Sequence, residues 1–219
     1  MCIRDSLPNL QAVVKIGGSI ERGFIEFQEV AGKASEKDKD RIKDLTNILQ
    51  FDDPINIQFT SGTTGFPKGA TLTHFNVLNN GYFTGESLKF TSDDRLCVPV
   101  PLYHCFGMVL SNIAALTHGA ALIYPDEAFD PLSVLEAVQE EKCTGLHGVP
   151  TMFIAELEHP RFKEFDLSSL RTGIMAGSPC PIEIMRRVVD EMYCSEMIIA
   201  YGMTETSPVI TSSETDDPI

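Results

Sequence analysis

Basic residues are scarce in this chain. Its 219 residues include 17 Lys and Arg against 31 Asp and Glu, a formal net charge of −14 at neutral pH. So acidic a protein lacks the positive surface that a nucleic acid or an anionic membrane requires. No run approaches the roughly 18 apolar residues of a membrane span. The opening residues have neither the apolar core nor the small-residue cleavage site of a secretory signal. Six cysteines form no C-x-x-C pair and five histidines no H-x-x-x-H spacing, so no ligand set for a protein-held zinc is present. Cys97 and Cys143 fall in or beside apolar strands, the usual setting of reduced buried thiols, and a cytoplasmic protein is expected. An α/β hydrolase using serine is a rival reading, against which stands the absence of any G-x-S-x-G elbow.

The remainder is ordinary globular composition, 43% hydrophobic and 22% charged, enough for one sizeable core or two modest ones. Apolar runs at Ile55–Phe59, Arg95–Val100, Ala120–Tyr124, Gly145–Val149, Arg171–Ala176 and Met197–Tyr201 predict strands. Helical periodicity lies between them at His74–Phe83, Cys105–Thr117, Pro131–Lys142, Thr151–Glu158 and Pro181–Met192. Strand–helix alternation predicts an α/β fold of layered, largely parallel strands with flanking helices. Upstream, a short strand at Ala12–Ile16 leads into a polar stretch, Gly17 to Asp40, read as a solvated connector running into a helix near Arg41–Leu49.

One segment answers a specific chemical need. Thr60 is followed by Ser61-Gly62-Thr63-Thr64-Gly65-Phe66-Pro67-Lys68-Gly69. Its glycines let the backbone fold tightly enough to aim N–H groups at an anion. Ser61, Thr63 and Thr64 add hydroxyl donors, and Lys68 adds positive charge. This is equipment for a polyphosphate, although not a Walker A loop, because Lys68 sits between Pro67 and Gly69 rather than before Ser or Thr. The plain alternative is a Gly/Ser/Thr surface turn.

The string S-G-T-T-G-x-P-K-G resembles the signature loop of the AMP-forming adenylating enzymes: acyl-CoA synthetases, luciferases and peptide-synthetase adenylation domains. Three later strings resemble the same family in the same order. They are Pro101-Leu102-Tyr103-His104-Cys105-Phe106-Gly107-Met108, Met175-Ala176-Gly177-Ser178-Pro179 and Tyr201-Gly202-Met203-Thr204-Glu205. The wording is closest to fatty-acyl-CoA synthetases of the medium-chain, family-member-2 type. All four strings begin at the carboxyl end of a predicted strand, the edge at which open α/β sheets bind ligands.

The resemblance implies roles residue by residue. Thr60, Ser61, Gly62, Thr63, Thr64, Gly65 and Lys68 would hold the phosphates of ATP. Tyr201 would stack on adenine, with Gly202 leaving room for the flat ring and Ala176, Gly177 and Ser178 lining the opposite side; a lone Tyr there could equally be a core aromatic. Thr204 would meet a phosphate, and Glu205 would bind Mg²⁺, which favours one or two carboxylates plus substrate oxygens; otherwise Glu205 caps a helix. His104 would stand at the acyl entrance, near the reacting carboxylate, with Tyr103 and Phe106 at an apolar mouth; as a lone residue it would be structural. Lys68, Thr64, His104 and Glu205 are the expected catalytic residues. No acid lies between Pro99 and Gly119, so a substrate ammonium would go unpaired at high cost. A fatty acid is therefore expected, with Met108, Val149, Pro150, Thr151 and Met203 as candidate tail contacts.

The implied activity is ATP-dependent joining of a carboxylic acid to coenzyme A through an acyl-adenylate. An aryl-CoA ligase and a non-catalytic adenylate-binding module are the alternatives. Residues 1–6 resemble translated adaptor sequence, 7–54 read as connector and partial N-terminal element, and 55–219 as an incomplete core of the large N-terminal domain of an acyl-CoA-synthetase-like fold. The chain is accordingly expected to be an interior fragment, inactive alone, with a C-terminal domain absent.

Overall fold

The computed structural model describes residues 9–19, 22–60 and 65–218. Expectations for residues 1–6 and for Ser61, Gly62, Thr63 and Thr64 therefore lie outside the described residues. The chain divides into two compact units, Met1–Gln50 and Phe51–Ile219.

In the first unit, β1 (Val14–Lys15) pairs in parallel with β2 (Ile25–Glu26), followed by α1 (Phe27–Gly32) and α2 (Glu36–Ile48). The expected connector up to Asp40 thus contains one short helix and the start of another, and α2 starts five residues before the expected Arg41. A reciprocal cap is the cause. The Ser35 hydroxyl accepts the Asp38 N–H at 3.3 Å, while the Asp38 carboxylate accepts the Ser35 N–H at 2.8 Å. The acid–base cluster read as solvated connector forms i,i+3 pairs along the helix, Lys39 with Glu36 at 2.6 Å and Lys43 with Asp40 at 3.1 Å. Each adds only a few tenths of a kcal/mol.

The second unit opens with an antiparallel hairpin, β3 (Pro54–Thr60) and β4 (Lys68–Thr73), in which Thr60 is the register partner of Lys68. Next come α3 (His74–Ser87), β5 (Arg95–Cys97), a π-helix (Phe106–Ile113) running into α4 (Ala114–His118), and β6 (Ala121–Ile123). The remaining elements are α5 (Pro131–Glu141), β7 (Gly145–Gly148), α6 (Pro150–Leu157), β8 (Thr172–Ala176), α7 (Ile182–Met192), β9 (Glu196–Gly202) and β10 (Val209–Ser212). Six strands form one sheet in the order β10-β9-β8-β7-β5-β6, parallel throughout except for β10.

The expected α/β architecture is present, with two corrections. β3 does not enter the parallel sheet, because its hydrogen bonds are taken by β4. The expected strand Arg95–Val100 stops at Cys97, ahead of Pro99 and Pro101, which cannot donate to a ladder.

Strand alternation sends side chains to two cores. Cys97, Leu146, Met175 and Met197 pack with Val134, Leu135 and Val138 of α5, Phe153 and Leu157 of α6, and Met185 and Val188 of α7. Leu96, Val98, Ile174, Ala176, Ile198 and Ala200 pack on the other face with Phe106 and Leu110 of the π-helix. Wide winding there is matched by Ser111, whose hydroxyl donates to the Phe106 carbonyl five residues back at 3.1 Å and lies 3.0 Å from Nδ1 of the fully buried His147. Burial holds His147 neutral, with its pKa lowered to about 3.

The amino ends of the parallel strands are fastened together by charge. Arg171 donates to both carboxylate oxygens of Asp94 at 3.1 and 2.8 Å, to Glu196 at 2.6 Å and to the carbonyls of Leu88 and Lys89. The Thr144 hydroxyl donates to Asp94 at 2.7 Å and accepts the Arg95 N–H at 3.0 Å. Burial alone would raise the Asp94 pKa, but bonds from Arg171, Thr144 and the Thr91 N–H outweigh it and lower it. Among the described residues no helix is long and apolar enough to cross a membrane.

Candidate active site

Three segments leave the carboxyl edge of the parallel sheet and meet the end of the hairpin. The polypeptide after β5 carries His104, that after β8 carries Gly177 and Ser178, and the end of β9 carries Tyr201 and Gly202. A short 3₁₀ turn, Thr204–Thr206, follows. A cavity of about 300 Å³ lies among them, lined by Thr60, His104, Cys105, Phe106, Leu110, Ala176, Gly177, Tyr201, Gly202, Met203, Thr204 and Glu205, with Ala200, Pro208 and Val209. The sequence-expected residues of β3, β8, β9 and the histidine segment thus converge on one space.

Others stay out of that lining. Ser178, Gly65 and Lys68 are exposed and do not line the cavity, although Lys68 begins β4 directly across from Thr60, whose hydroxyl reaches the Lys68 carbonyl at 3.5 Å. Of the candidate tail contacts, only Met203 lines the cavity. The thioether of Met108 instead faces the amides of Asn56 and Gln58 on the hairpin, at 3.5 and 3.8 Å. Val149 supports Gly177 from below. Pro150 and Thr151 open α6 outside the cavity. Leu110 and Cys105 were not anticipated. Leu110 was legible in principle, since it lies four residues beyond Phe106 on one helical face.

Two glycines are demanded by geometry. Gly177 has φ +88°, and a Cβ there would also lie 3.0 Å from Val149, so only glycine turns the chain without strain. At Gly202 a Cβ would fall 1.9 Å from the Pro208 carbonyl oxygen. Its missing side chain therefore makes room for the β9–β10 turn, while Gly202 also lines the cavity where a flat ligand was expected.

His104 is exposed as a residue, yet its ring is partly walled in, and this desolvation lowers its pKa. Nδ1 accepts the Phe106 N–H at 3.1 Å, which leaves the ring proton of the neutral form on Nε2. Beside it the Cys105 thiol bridges toward both sides of the cavity, 3.7 Å from His104 Nδ1 and 3.7 Å from the Thr204 hydroxyl. Burial raises the pKa of this thiol and keeps it protonated. Tyr201 is 67% exposed at the rim, so its ring offers an open stacking face rather than a core contact.

Electrostatically, the wall is apolar on the side of Phe106, Leu110, Ala176, Ala200 and Val209. Glu205, exposed, is the one carboxylate in it. Among the described residues no group of three or more His, Cys, Asp and Glu side chains could hold a metal by itself. A single carboxylate next to a hydroxyl suits Mg²⁺ only when substrate phosphate oxygens complete the shell.

The profile of a protein family described as "AMP-binding enzyme" matches residues 4–219. The chain is 51% identical over 213 residues to the putative acyl-CoA synthetase YngI of Bacillus subtilis strain 168, covering 97% of this chain and 39% of that protein. It is 46% identical over 205 residues to the mitochondrial medium-chain acyl-CoA ligase ACSF2 of Danio rerio, covering 93% of this chain and 34% of that one. Among solved structures, the anthranilate CoA ligase AuaEII in complex with anthranoyl-AMP superposes with a TM-score of 0.82 at 26% identity, over 99% of this chain and 41% of that one. The chain thus spans 34% to 41% of the length of these proteins.

Proposed function

The chain belongs to the AMP-binding enzyme family, and from that premise we propose that the whole protein is an ATP-dependent, AMP-forming fatty acid–CoA ligase. The observation that carries this reading is the single cavity in which His104, Gly177, Tyr201, Thr204 and Glu205 meet beside an apolar wall.

In the first step one carboxylate oxygen of the acid attacks the α-phosphorus of ATP and the α–β bridging bond breaks. Acyl-adenylate forms and pyrophosphate leaves. The thiolate of coenzyme A then attacks the acyl carbon, and AMP departs with the electron pair of the acyl–oxygen bond. Neither step needs a protein nucleophile; positioning and charge neutralisation supply the catalysis. The Nε2–H of neutral His104 donates a hydrogen bond to the incoming carboxylate, an arrangement imposed by the Phe106 N–H on Nδ1. Tyr201 stacks on the adenine and Gly177 borders its other face. Thr60, Ser61, Gly62, Thr63, Thr64 and Gly65 supply the hydroxyl and N–H donors for the phosphates, and Lys68, the first residue of β4, balances their charge. Glu205, with Thr204 alongside, holds Mg²⁺, which neutralises the phosphate oxygens when bound.

The acyl tail lies along Phe106, Leu110, Ala200 and Val209. None of these pairs with an ammonium, so a plain acid is preferred to an amino acid. A cytoplasmic location goes with this reading, since all five described cysteines are free thiols. The test is ATP–pyrophosphate exchange by the whole protein with octanoate, laurate, benzoate and phenylalanine. The fatty acids are expected to support the fastest exchange; preference for benzoate would identify an aryl-CoA ligase, and no exchange with any acid an adenylate-binding module.

A further inference from the structure

One side chain of α3 sends both of its hydrogen bonds out of the helix. Asn80 donates from Nδ2 to the Val209 carbonyl at 2.9 Å, and its Oδ1 accepts the Val209 N–H at 3.1 Å. Both backbone groups of a residue 129 positions along the chain are thereby satisfied. Three neighbouring side chains bond within the helix instead, Asn79 to the Phe75 carbonyl at 2.8 Å, Thr84 to that of Asn80 at 2.7 Å, and Ser87 to that of Phe83 at 3.0 Å, while Glu86 meets His118 at 3.0 Å. Since β10 ends the sheet, Asn80 stands where a further strand would pair.

Through Val209 this clamp reaches the site. Val209 is the register partner of Gly202. The preceding carbonyl, that of Pro208, accepts the Met203 N–H at 3.0 Å. Both Pro208 and Val209 line the cavity. The other end of α3 is tied to the phosphate side. Thr73, the last residue of β4, accepts the Asn76 N–H at 3.2 Å through Oγ1, while Asn76 Oδ1 accepts the Thr73 N–H at 3.1 Å. α3 is thus a strut with the Lys68 strand fixed at its start and the Tyr201–Glu205 segment clamped about two turns along.

We infer that Asn80 is a positioning residue of the adenylating site, holding the Tyr201–Glu205 segment in register with the strand that bears Lys68. The inference rests on the reading of the site given above. Asn80 acts through Val209 and Pro208, and its effect is on the geometry of residues that would meet ATP.

Two measurements test it, one independent of activity. In the whole protein, Asn80→Ala should speed amide hydrogen exchange at Val209 and Met203 on the order of thirtyfold, the scale of two lost hydrogen bonds. Amides of β7 and β8 should keep their rates. Met203 is decisive, because its own acceptor, the Pro208 carbonyl, is untouched by the substitution. In the whole protein, the same variant should raise the KM for ATP in pyrophosphate exchange by a comparable factor. Asn79→Ala, which removes only a bond within the helix, should move neither readout. Asn80→Asp keeps the acceptor and loses the donor, should fall between the two, and carries both measurements if the alanine variant does not fold. Unchanged Met203 exchange overturns the inference whatever the enzyme does. Faster Met203 exchange with an unchanged KM overturns it too, as does an equal response from Asn79→Ala. A parental protein that exchanges pyrophosphate with no acid refutes the functional reading instead, and the Met203 amide alone then decides the clamp.

Discussion

Glu156 should make the stability of this protein fall as pH rises through the weakly acidic range. It lies in α6 with 1% of its surface exposed, and its Oε2 has no hydrogen-bond partner. The thiols of Cys97 and Cys194 are close enough to feel its charge. Desolvation raises its pKa well above the ordinary 4.5. Below pH 4.5 both the folded and the unfolded chain hold this proton, and the group contributes no penalty. Above it the unfolded chain releases the proton while the folded chain retains it. Stability is then lost at about 1.4 kcal/mol per pH unit, a factor of ten in the folding equilibrium, until pH reaches the raised folded value. Glu156→Gln removes the titrating group at similar volume. The difference in unfolding free energy between parent and variant, from urea titrations of the 219-residue chain, should grow in favour of the variant as pH rises from 4.5 to 6.5. His147 has the opposite dependence, since its lowered pKa costs stability as pH falls below its ordinary 6.5, but it is present in both proteins and cancels. A difference that stays constant across that interval would refute the assignment of a buried, protonated Glu156.

Three further outcomes are expected. In the whole protein, Lys68→Ala should slow pyrophosphate exchange on the order of a hundredfold or more, the scale of a lost preorganised charge; a parental rate would remove Lys68 from the phosphate site. Glu205→Gln should shift activity to higher Mg²⁺ concentration, because a neutral amide is a poorer ligand for a hard cation, and an unchanged titration curve would return Glu205 to a structural role. Gly202→Ala should destabilise the 219-residue chain by about 1–3 kcal/mol, the usual range for overpacking, because its Cβ would fall 1.9 Å from the Pro208 oxygen. An unaltered urea midpoint would show that the β9–β10 turn yields freely.

The parallel strands were legible because they read as short apolar runs between helical periods, β7 and β8 being buried on both faces. β4 and β10 were not, since Lys68-Gly69-Ala70-Thr71-Leu72-Thr73 and Val209-Ile210-Thr211-Ser212 have too little apolar alternation to stand out. Missing β4 led β3 to be placed in the wrong sheet. The π-winding at Phe106–Ile113 leaves no mark on periodicity over so short a span, and its support, the Ser111–His147 contact, joins residues 36 apart. The segments carrying His104, Gly177 and Tyr201 could be placed at the carboxyl edge of the parallel sheet because each follows the end of one of its strands. The Asn80 clamp escaped because an asparagine in a helical stretch looks the same whether it bonds four residues or 129 residues away.

The Arg171 fastening has a bearing on how such a protein can change. Asp94, Thr144, Arg171 and Glu196 sit at the amino ends of β5, β7, β8 and β9, the margin opposite the cavity. Substitutions along the cavity margin therefore leave the charged knot untouched, and sites that far apart with no shared partner add independently in free energy. Met203, 48% exposed on the cavity wall, can be exchanged while the strands stay gathered from below. The exposed rim of the cavity and the charged knot thus occupy separate ends of the same sheet.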